Sequence, residues 1–543
     1  MLHSSVFNLS VLCHQLGVNH AVLSPGSRNA PITISFARHS SIKKYMIPDE
    51  RSAGFIALGI AQEANEPVVL CCTSGTALLN YGPAVAEAYY RQIPLLVLSA
   101  DRPPHLIDQR DGQTIRQFEA LKNHVKQSYK VPIVKGEPEA SSFSHQIIEA
   151  FYTALSEPKG PVHINIPFDE PFYPQEDQQL NFEEHIALKI HATPEEIDYD
   201  AIRQTIQNCG TSAVLVGQTI PDENLQEKLS ILSGEVPVLG GPLSNVHCSI
   251  QHVDGFISAN KTQLCPDLLI TTGLSILSKN LKGFLRANKP LVHIHCDPAE
   301  VEIDTFQTNP ILVKAQVSDL LDNIELPTDP TYLAQWNQEE KAASDKLNNF
   351  KGAYSEVAAY KRIHEAIPED TCLHLSNSMP VRYADLFGKS AKAQVFSNRG
   401  TSGIDGCTST ALGTSLISQK QNLLITGELA FLYDRNAFFN QLDVSNLKII
   451  VLNNKGGGIF RLIPGPSKQP ELEDYFETRH NFDCRHLCGE HDIRYFSATD
   501  FESLDKSLDG FFELENTSAL LEVFTDPVNN QKVYQQLKEE LNA

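Results

Sequence analysis

The chain has 543 residues, 41% of them apolar and 20% charged, a balance typical of a globular protein with about three domains. Its 44 basic and 66 acidic side chains give a formal net charge of −22, which argues against nucleic acid or an anionic membrane as a partner. No apolar run reaches the length of about 18 residues that a membrane-spanning helix needs, and the first residues lack a signal-peptide pattern. We therefore predict a cytoplasmic protein without membrane insertion, in which the eleven scattered cysteines are reduced thiols.

One group of potential zinc ligands lies near the C-terminal end of the sequence. It consists of Cys484, His486, Cys488 and His491. Their spacing matches no strong zinc motif. We therefore predict a helical segment with unrelated thiols at this position.

Residues 1–175 alternate helix-like with strand-like segments. Val6–Leu16 has the apolar pattern of an amphipathic helix, and an Ala/Gly-rich apolar helix ends near Ala61. Buried strands are predicted at His20–Leu23, Pro67–Cys72, Leu95–Ser99 and Val162–Ile166. This alternation is typical of a parallel sheet that is covered by helices on both faces.

Residues 175–200 are polar and aperiodic, which predicts a linker, and the Pro/Asp-rich segment Leu326–Pro330 predicts a second one. Between and after these linkers the α/β alternation continues, with strands predicted at Ala213–Val216, Val236–Leu239, Leu268–Thr271, Leu291–His295, Cys372–Leu375, Gln394–Phe396, Leu423–Thr426, Lys448–Leu452 and Ala519–Phe524 and a last helix at Gln531–Leu541. We predict an α/β fold of three doubly wound parallel-sheet domains at residues 1–180, 195–328 and 331–543.

Polar side chains follow two neighbouring strands of the third domain. The strand Leu423–Thr426 ends at Gly427 and Glu428, and the next strand ends at Asn453 and Asn454, followed by three glycines. A right-handed βαβ unit brings both ends to the same edge of the sheet. A carboxylate, an amide oxygen and a backbone carbonyl could there hold Mg²⁺, and glycines let the backbone approach a diphosphate. An ordinary βαβ unit with a glycine-rich turn has the same pattern.

This pattern resembles the diphosphate motif of thiamine-diphosphate enzymes, although Glu428 replaces the usual aspartate and Leu429 replaces the second glycine. The resemblance implies thiamine diphosphate with Mg²⁺ or Mn²⁺, and it makes the first and third domains the pyrimidine-binding and diphosphate-binding domains. The implied metal ligands are Glu428, Asn454 and Gly456. The implied cofactor-binding residues are Glu50, Gly427, Asn454, Gly456, Gly457, Gly458 and Ile459.

Glu50 begins a predicted helix directly after a strand-like segment. In thiamine-diphosphate enzymes a glutamate at such a position faces N1′ of the cofactor pyrimidine and acts as the acid–base group that activates the cofactor. The resemblance therefore implies that Glu50 is catalytic. A carboxylate at a helix N-terminus is also favoured by the helix dipole alone.

Several longer motifs narrow the resemblance to one family. They are SPGSRNAP (24–31), DERSAGF to TSGTA (49–77), SADRPP to GQTIRQ (99–117), NSMPVR (377–382), SNRGTSGIDG (397–406) and NNKGGGIF (453–460). They resemble 2-succinyl-5-enolpyruvyl-6-hydroxy-3-cyclohexene-1-carboxylate (SEPHCHC) synthases of menaquinone biosynthesis, across both outer domains and only thinly in the central one.

That family decarboxylates 2-oxoglutarate and adds the resulting succinyl carbanion equivalent to isochorismate. The resemblance implies the same two substrates here and a homodimer or a dimer of dimers, with each cofactor bound between two chains. Both substrates are dicarboxylates, which suit the bidentate fork of arginine. The implied substrate-binding residues are Ser27, Arg28, Arg102, Gln113, Lys279, Ser378, Arg382 and Arg399. Asn280 departs from the family pattern, which has arginine after the lysine.

Two other interpretations remain open at this point. One is another thiamine-diphosphate decarboxylase or carboligase, similar to acetolactate synthase, and the other is a non-catalytic cofactor-binding scaffold. The four arginines argue against substrates with uncharged side chains. Glu50 argues against a scaffold, which needs no carboxylate at N1′.

Overall fold

A computed structural model describes residues 3–170, 173, 179–182, 197–246, 248–299, 303–388 and 393–543. The chain folds into two compact units. The first contains the described residues within Met1–Ala192, Asn398–Asn422 and Ala430–Leu447, and the second those within Thr193–Ser397, Leu423–Leu429 and Lys448–Ala543. Most of the linker predicted over residues 175–200 lies outside the described residues.

The N-terminal sheet has six parallel strands in the order β2-β1-β3-β4-β6-β5. Its strands are β1 (His20–Leu23), β2 (Lys43–Met46), β3 (Val68–Cys72), β4 (Leu95–Asp101), β5 (Ser128–Lys130) and β6 (Val162–Pro167). The helices of this segment are α1 (Ser4–Phe7), α2 (Leu9–Gln15), α3 (Ala30–Arg38), α4 (Glu50–Ala64), α5 (Ala77–Asn80), α6 (Gly82–Tyr90) and α7 (Glu137–Leu155).

The central sheet has five parallel strands in the order β11-β10-β9-β7-β8. Its strands are β7 (Ser212–Val216), β8 (Val238–Gly240), β9 (Leu268–Thr272), β10 (Val292–Cys296) and β11 (Ile311–Val313). Its helices are α8 (Tyr199–Ile206), α9 (Glu223–Leu232), α10 (Lys279–Ala287) and α11 (Val317–Asn323). Buried apolar side chains form one core cluster on each face of this sheet.

The C-terminal sheet has six strands in the order β13-β12-β14-β15-β17-β16. Its strands are β12 (Cys372–Leu375), β13 (Gln394–Phe396), β14 (Asn422–Gly427), β15 (Leu447–Asn453), β16 (Arg494–Ala498) and β17 (Ala519–Phe524). The helices of this segment are α12 (Pro330–Asn349), α13 (Glu356–Ala366), α14 (Met379–Phe387), α15 (Cys407–Ser415), α16 (Glu428–Tyr433), α17 (Ile459–Leu462), α18 (Arg485–Glu490), α19 (Phe501–Phe512) and α20 (Pro527–Asn542).

These three parallel sheets confirm the predicted fold class. Each predicted strand is present with small changes at its ends, whereas the edge strands β5, β11 and β16 were not predicted. The predicted domain limits remain a prediction, and the second predicted linker is an irregular connection between α11 and α12. Among the described helices, none is both long and apolar enough to cross a membrane.

Helix α4 is largely buried in the first unit, and it packs directly on α15, which is buried along its whole length. The Asp49 side chain caps its N-terminus by accepting hydrogen bonds from the N–H groups of Arg51 (2.9 Å) and Ser52 (3.3 Å). Most residues from Ser52 to Gln62 are buried because helices and the sheet surround them. The position of Glu50, at the start of this helix, is therefore fixed by a large apolar contact.

Two glycines let the backbones of α4 and α15 touch. A Cβ atom added at Gly59 would lie 2.1 Å from the carbonyl oxygen of Thr410, and one added at Gly413 would lie 2.2 Å from that of Ile56. The hydroxyl of Thr414 donates a hydrogen bond to the carbonyl oxygen of Gly59 across the same contact (3.2 Å). No other residue type fits at either glycine unless the helices separate.

We expect Gly413→Ala to lower the free energy of unfolding by about 1–3 kcal/mol or more, because the added methyl group overpacks the contact with α4. Urea denaturation measures this loss. Gly82→Ala is the matched control, since no described atom lies within 4 Å of a Cβ added there. Its effect should be neutral or stabilising by up to about 1 kcal/mol. Equal stability of the two variants would contradict the tight contact.

Candidate active site

Glu428 and Gly456 connect the ends of two adjacent strands, β14 and β15, in the C-terminal sheet. Glu428 is the first residue of α16, and its side chain is only 2% exposed. Its Oε1 atom accepts a hydrogen bond from the backbone N–H of Gly456 at 2.6 Å. The ring Nε2 atom of His480 lies 3.5 Å from the same oxygen. The predicted carboxylate and glycine turn therefore meet at one edge of the sheet.

The side-chain amide of Asn454 is held at one end and unpartnered at the other. Its Nδ2 atom donates a hydrogen bond to Oε2 of Glu356 at 2.7 Å. Its Oδ1 atom is buried and accepts no hydrogen bond from any described residue. A buried amide oxygen without a donor is costly unless a ligand satisfies it, and Mg²⁺ takes such oxygens. The residues present therefore fit the divalent cation that the sequence predicts.

Glu356 belongs to this site although no pattern in the sequence indicated it. It is the first residue of α13 and is 2% exposed. The pKa of its carboxyl is raised to about 7, chiefly by burial and also by the nearby Glu428 carboxylate, while hydrogen bonds from Asn454 and Tyr383 oppose the rise. Glu356 and Glu428 therefore place two buried carboxyl groups at this edge of the sheet, and a bound cation would favour their charged forms.

The three glycines after Asn454 are required by contacts within the protein. A Cβ added at Gly456 would lie 2.8 Å from the carbonyl oxygen of Glu477, and one added at Gly458 would lie 2.8 Å from Nδ2 of Asn454. The N–H of Gly457 donates to the carbonyl oxygen of Glu477 at 2.7 Å. The glycines thus let the turn pack on Glu477 and on Asn454 itself. This packing is a second reason for glycine here, besides the predicted approach of the backbone to a diphosphate.

The two remaining cofactor-binding predictions for this unit lie on either side of that turn. Around a Cβ added at Gly427, no described atom comes within 4 Å, so the end of β14 has open space beside it. Ile459 begins α17 and packs partly buried against the core cluster of the C-terminal sheet.

Ser378 and Arg382 lie at the end of β12 and on the helix that follows it. Ser378 directly precedes α14. Its φ is 78°, a backbone conformation that residues other than glycine rarely adopt. Such strain is retained at functional sites more often than elsewhere. Arg382 is half-buried on α14, and the next residue, Tyr383, donates a hydrogen bond to Glu356. The helix that carries Arg382 is thus hydrogen-bonded to the same carboxylate as Asn454.

Glu50 lies near the C-terminal end of β3 in the first unit. It is half-buried at the start of α4. Burial raises the pKa of the Cys72 thiol and of the Tyr81 hydroxyl well above their usual values, and the charge of Glu50 adds to both shifts. The buried hydroxyls of Thr73 and Ser74, just after β3, have no hydrogen-bond partner among the described residues. Polar atoms that a ligand could satisfy therefore follow this strand.

Two of the predicted substrate arginines, Arg28 and Arg102, concentrate positive charge in the first unit. Arg28 is 4% exposed and donates hydrogen bonds to the carbonyl oxygen of Phe168 (3.2 Å) and to Oε1 of Glu170 (3.4 Å). Its pKa is lowered, first by burial and then by the positive charge of Arg102. Two arginines whose charges disfavour each other are stabilised by an anion bound between them.

Gln113 lies in a loop whose position depends on Gln117. Gln113 is exposed, with a φ of 55°, and its backbone lies beside Gly75. Gln117 is fully buried; its Oε1 accepts from the N–H of Gly75 (2.7 Å) and its Nε2 donates to the carbonyl oxygen of Ala100 (3.0 Å). Gln117 thereby joins the loop to the ends of β3 and β4. Ser27, in the loop after β1, is exposed.

The loop that carries Arg399 is held by Glu87 of α6, within the first unit. The carboxylate of Glu87 accepts hydrogen bonds from the N–H of Gly400 (2.9 Å) and from the N–H and hydroxyl of Thr401 (2.6 and 2.7 Å). A Cβ at Gly400 would lie 2.8 Å from the carbonyl oxygen of Glu87. Arg399 is half-buried, and its backbone position is therefore set by the buried carboxylate next to it in space.

Lys279 is the exposed first residue of α10, after the end of β9 in the second unit. The hydroxyl of Ser278 caps this helix by accepting from the N–H of Leu281 (3.0 Å). Asn280, which departs from the family pattern, donates to the carbonyl oxygen of Asp254 (3.3 Å). Lys279 and Asn280 thus follow the carboxyl end of a strand of the central sheet, as the other predicted site residues do in their own sheets.

Both thiols of the Cys484–His491 group are buried, next to the carboxylate of Glu522. Cys484 and Cys488 are buried just before and within α18. Burial raises the pKa of the Cys488 thiol to about 12. Within the part of the chain that the structure describes, no three histidine, cysteine or acidic side chains converge as metal ligands.

Comparison with known proteins defines the class. Residues 8–124 match the family model described as thiamine pyrophosphate enzyme, N-terminal TPP binding domain. Together with the three parallel sheets, this match makes the chain an enzyme of the thiamine-diphosphate-dependent α/β class.

Curated 2-succinyl-5-enolpyruvyl-6-hydroxy-3-cyclohexene-1-carboxylate synthases are similar to almost the whole chain. The protein of Cytophaga hutchinsonii is 38% identical over 552 residues, which cover 98% of each chain. That of Flavobacterium johnsoniae is 38% identical over 98% of this chain and 97% of its own. That of Porphyromonas gingivalis is 38% identical over 95% of this chain and 93% of its own. The chain belongs to this synthase family, which confirms the resemblance predicted from the motifs.

We expect Glu87→Ala to lower the free energy of unfolding by at least about 2 kcal/mol, because it removes the buried carboxylate that accepts three hydrogen bonds from Gly400 and Thr401. Trypsin should also cut faster after Arg399, since the loop opens more often. Glu149→Ala, at an exposed position of α7, is the control and should change stability by less than about 0.5 kcal/mol. An unchanged midpoint of unfolding together with an unchanged rate of trypsin cleavage would show that Glu87 does not hold the loop.

Proposed function

We propose that this enzyme uses thiamine diphosphate and Mg²⁺ or Mn²⁺ to decarboxylate 2-oxoglutarate and to join the remaining succinyl unit to isochorismate, as a step of menaquinone biosynthesis. The synthase names of its relatives support the product, and one structural observation carries the cofactor. That observation is the buried, unpartnered Oδ1 atom of Asn454 at the strand edge that also bears Glu428.

The second unit supplies the groups that would hold the metal and the diphosphate. Glu428, Asn454 and the backbone carbonyl of Gly456 are the proposed ligands of the cation, which keeps further positions for phosphate oxygens. The open space beside Gly427 and the turn at Gly456–Gly458 are the proposed diphosphate site. Ile459 would pack beside the thiazolium ring.

The first unit supplies the proposed acid–base group. When bound, thiamine diphosphate supplies a nucleophilic carbon that attacks a ketone and then accepts the electron pair released with CO₂. Glu50 would hold a proton between its carboxyl group and N1′ of the pyrimidine, and this contact favours the imino tautomer, whose 4′-nitrogen can accept a proton. The fixed N-terminus of α4 keeps the carboxyl group in place for that exchange.

The predicted arginines would bind the carboxylates of the two substrates. The chain carries a net charge of −22, so a dicarboxylate is drawn to the site only by a local excess of positive charge. Arg28 and Arg102 supply part of that positive charge in the first unit, where Glu170 and Asp111 partly offset it. Arg382, Arg399 and Lys279 are further proposed carboxylate contacts, with Ser27, Gln113 and Ser378 as the neutral hydrogen-bonding groups. Substrates with uncharged side chains would give several of these cations no substrate carboxylate to bind.

We infer a homodimer, or a dimer of dimers, with two identical sites in each dimer. Glu50 belongs to one unit and Glu428 to the other, and both would act on one small cofactor. We also infer a cytoplasmic location from the eleven cysteines, all of which are described and none of which forms a disulfide.

The proposed reaction is tested by following CO₂ release from 2-oxoglutarate with thiamine diphosphate and Mg²⁺, with and without isochorismate, and by identifying the product by mass. We expect isochorismate to accelerate release and pyruvate to be a poor donor. Glu50→Gln should reduce turnover about 10²–10⁴-fold, the usual range for an acid–base group, while the fold is retained. Turnover of the variant near that of the unchanged enzyme would rule out the role of Glu50.

The shared site is tested by mixing two inactive chains. Chains with Glu50→Gln are co-expressed with chains with Asn454→Ala. By symmetry about half of the dimers are mixed, and in each one site collects both lesions while the other collects neither, so that roughly a quarter of the normal sites return. If mixed dimers form but activity stays at the level of the separate homodimers, each chain builds its site alone.

A further inference from the structure

Two adjacent asparagines at the end of β15 are each bonded to a buried glutamate. Nδ2 of Asn453 donates to Oε1 of Glu522, and Nδ2 of Asn454 donates to Oε2 of Glu356, both at 2.7 Å. Glu522 is 0% exposed and Glu356 is 2% exposed. The two bonds therefore join the same chemical groups at a similar degree of burial, although Glu522 also accepts from the N–H of Cys484 and the hydroxyl of Tyr495. The two amide oxygens are used differently.

The oxygen of Asn453 is used within the protein. Its Oδ1 accepts a hydrogen bond from the N–H of Lys455 at 2.9 Å, which stabilises the turn where Lys455 has a φ of 63°. The oxygen of Asn454 is buried, and no described group donates to it. Asn453 is thus fully engaged in the turn, whereas Asn454 keeps one buried acceptor for a group that the protein does not supply.

The carboxylate of Glu356 determines which way the amide of Asn454 faces. This carboxylate accepts hydrogen bonds from Nδ2 of Asn454, from the hydroxyl of Tyr383 and, at 3.4 Å, from Nδ2 of Asn530. A rotated amide would bring Oδ1 of Asn454 against the Glu356 oxygen, with two acceptors facing each other. The bond therefore excludes the rotated amide and leaves the oxygen on the side away from Glu356.

Glu356 is itself held firmly enough for this task. It begins α13, and its backbone N–H donates to Oδ1 of Asn530 at 2.8 Å. A buried side chain that accepts several hydrogen bonds, and whose own backbone N–H is also bonded, has little freedom to rotate. The orientation of Asn454 is thereby fixed before any ligand binds.

We propose that Glu356 is a positioning residue of the metal site: it holds the Asn454 amide so that Oδ1 faces the divalent cation. The inference rests on the proposed function, which places that cation next to Asn454. Partners of this kind, one bond removed from a metal, commonly change metal affinity by about 10- to 100-fold when they are removed.

The decisive test reverses the polarity of the hydrogen bond. Asn454→Asp alone places a second carboxylate against Glu356, and we expect the Mg²⁺-dependent affinity for thiamine diphosphate to fall about 10- to 100-fold, although aspartate is in general a good Mg²⁺ ligand. Adding Glu356→Gln supplies an amide N–H that donates to the introduced carboxylate. The double variant should therefore bind at least about tenfold more tightly than Asn454→Asp alone.

The measurement is calorimetric titration of the full-length apo protein with thiamine diphosphate at several Mg²⁺ concentrations, together with its unfolding temperature. Glu522→Gln is the matched control, because it changes a buried glutamate that bonds the neighbouring asparagine. We expect Glu522→Gln to lower the unfolding temperature while the Mg²⁺ dependence of binding changes less than about threefold. If the effect came only from a general loss of packing, variants at Glu356 and at Glu522 would change the Mg²⁺ dependence of binding equally.

Single variants keep the proposal testable if the double variant does not fold. Glu356→Gln retains an acceptor for Asn454 and should bind within about threefold of the unchanged protein, whereas Glu356→Ala should lose about 10- to 100-fold. A folded Glu356→Ala protein with normal Mg²⁺ dependence, or a folded double variant no better than Asn454→Asp, overturns the role of Glu356. Absence of Mg²⁺-dependent cofactor binding in the unchanged protein would instead refute the proposed function.

Discussion

The backbone contact between α4 and α15 is the constraint on which the first unit depends. Glu50 begins one of these helices, and the loop of Arg399 leads into the other. The contact is completed by a third segment, since the Asp434 side chain accepts hydrogen bonds from the N–H (2.6 Å) and hydroxyl (2.8 Å) of Ser409, near the start of α15. Three parts of the chain that are distant in sequence thus hold this helix pair in place. The residues at the ends of the two helices are therefore held rigidly as well.

In the second unit, buried carboxylates organise the polar edge of the C-terminal sheet. Glu356 bonds Asn454 on one side and Tyr383, the neighbour of Arg382, on the other. The proposed metal ligand and a proposed substrate arginine therefore share one anchor. Because these bonds lie within the protein, little side-chain freedom remains to be lost when a ligand binds.

The central strands and the residues at their ends could be predicted, because long apolar runs followed by polar motifs can be recognised in the sequence itself. It did not predict β5, β11 and β16, which are edge strands of three to five residues with several exposed side chains. It also gave no reason to select Glu356 or Glu87, whose partners Asn454 and Thr401 lie 98 and 314 positions away. Contacts over such distances leave no periodic pattern in the chain.

The first unit is built from chain segments that are far apart in the sequence, and this affects the order in which the protein folds during synthesis. The unit needs Asn398–Asn422 and Ala430–Leu447 as well as the N-terminal segment, and α15 covers α4. The N-terminal sheet can form early, but the apolar surface of α4 that faces α15 stays exposed to water until the ribosome has released Cys407–Ser415. During that interval the nascent chain presents a site for chaperones or for aggregation, and a chain truncated before α15 cannot cover this surface in the same way.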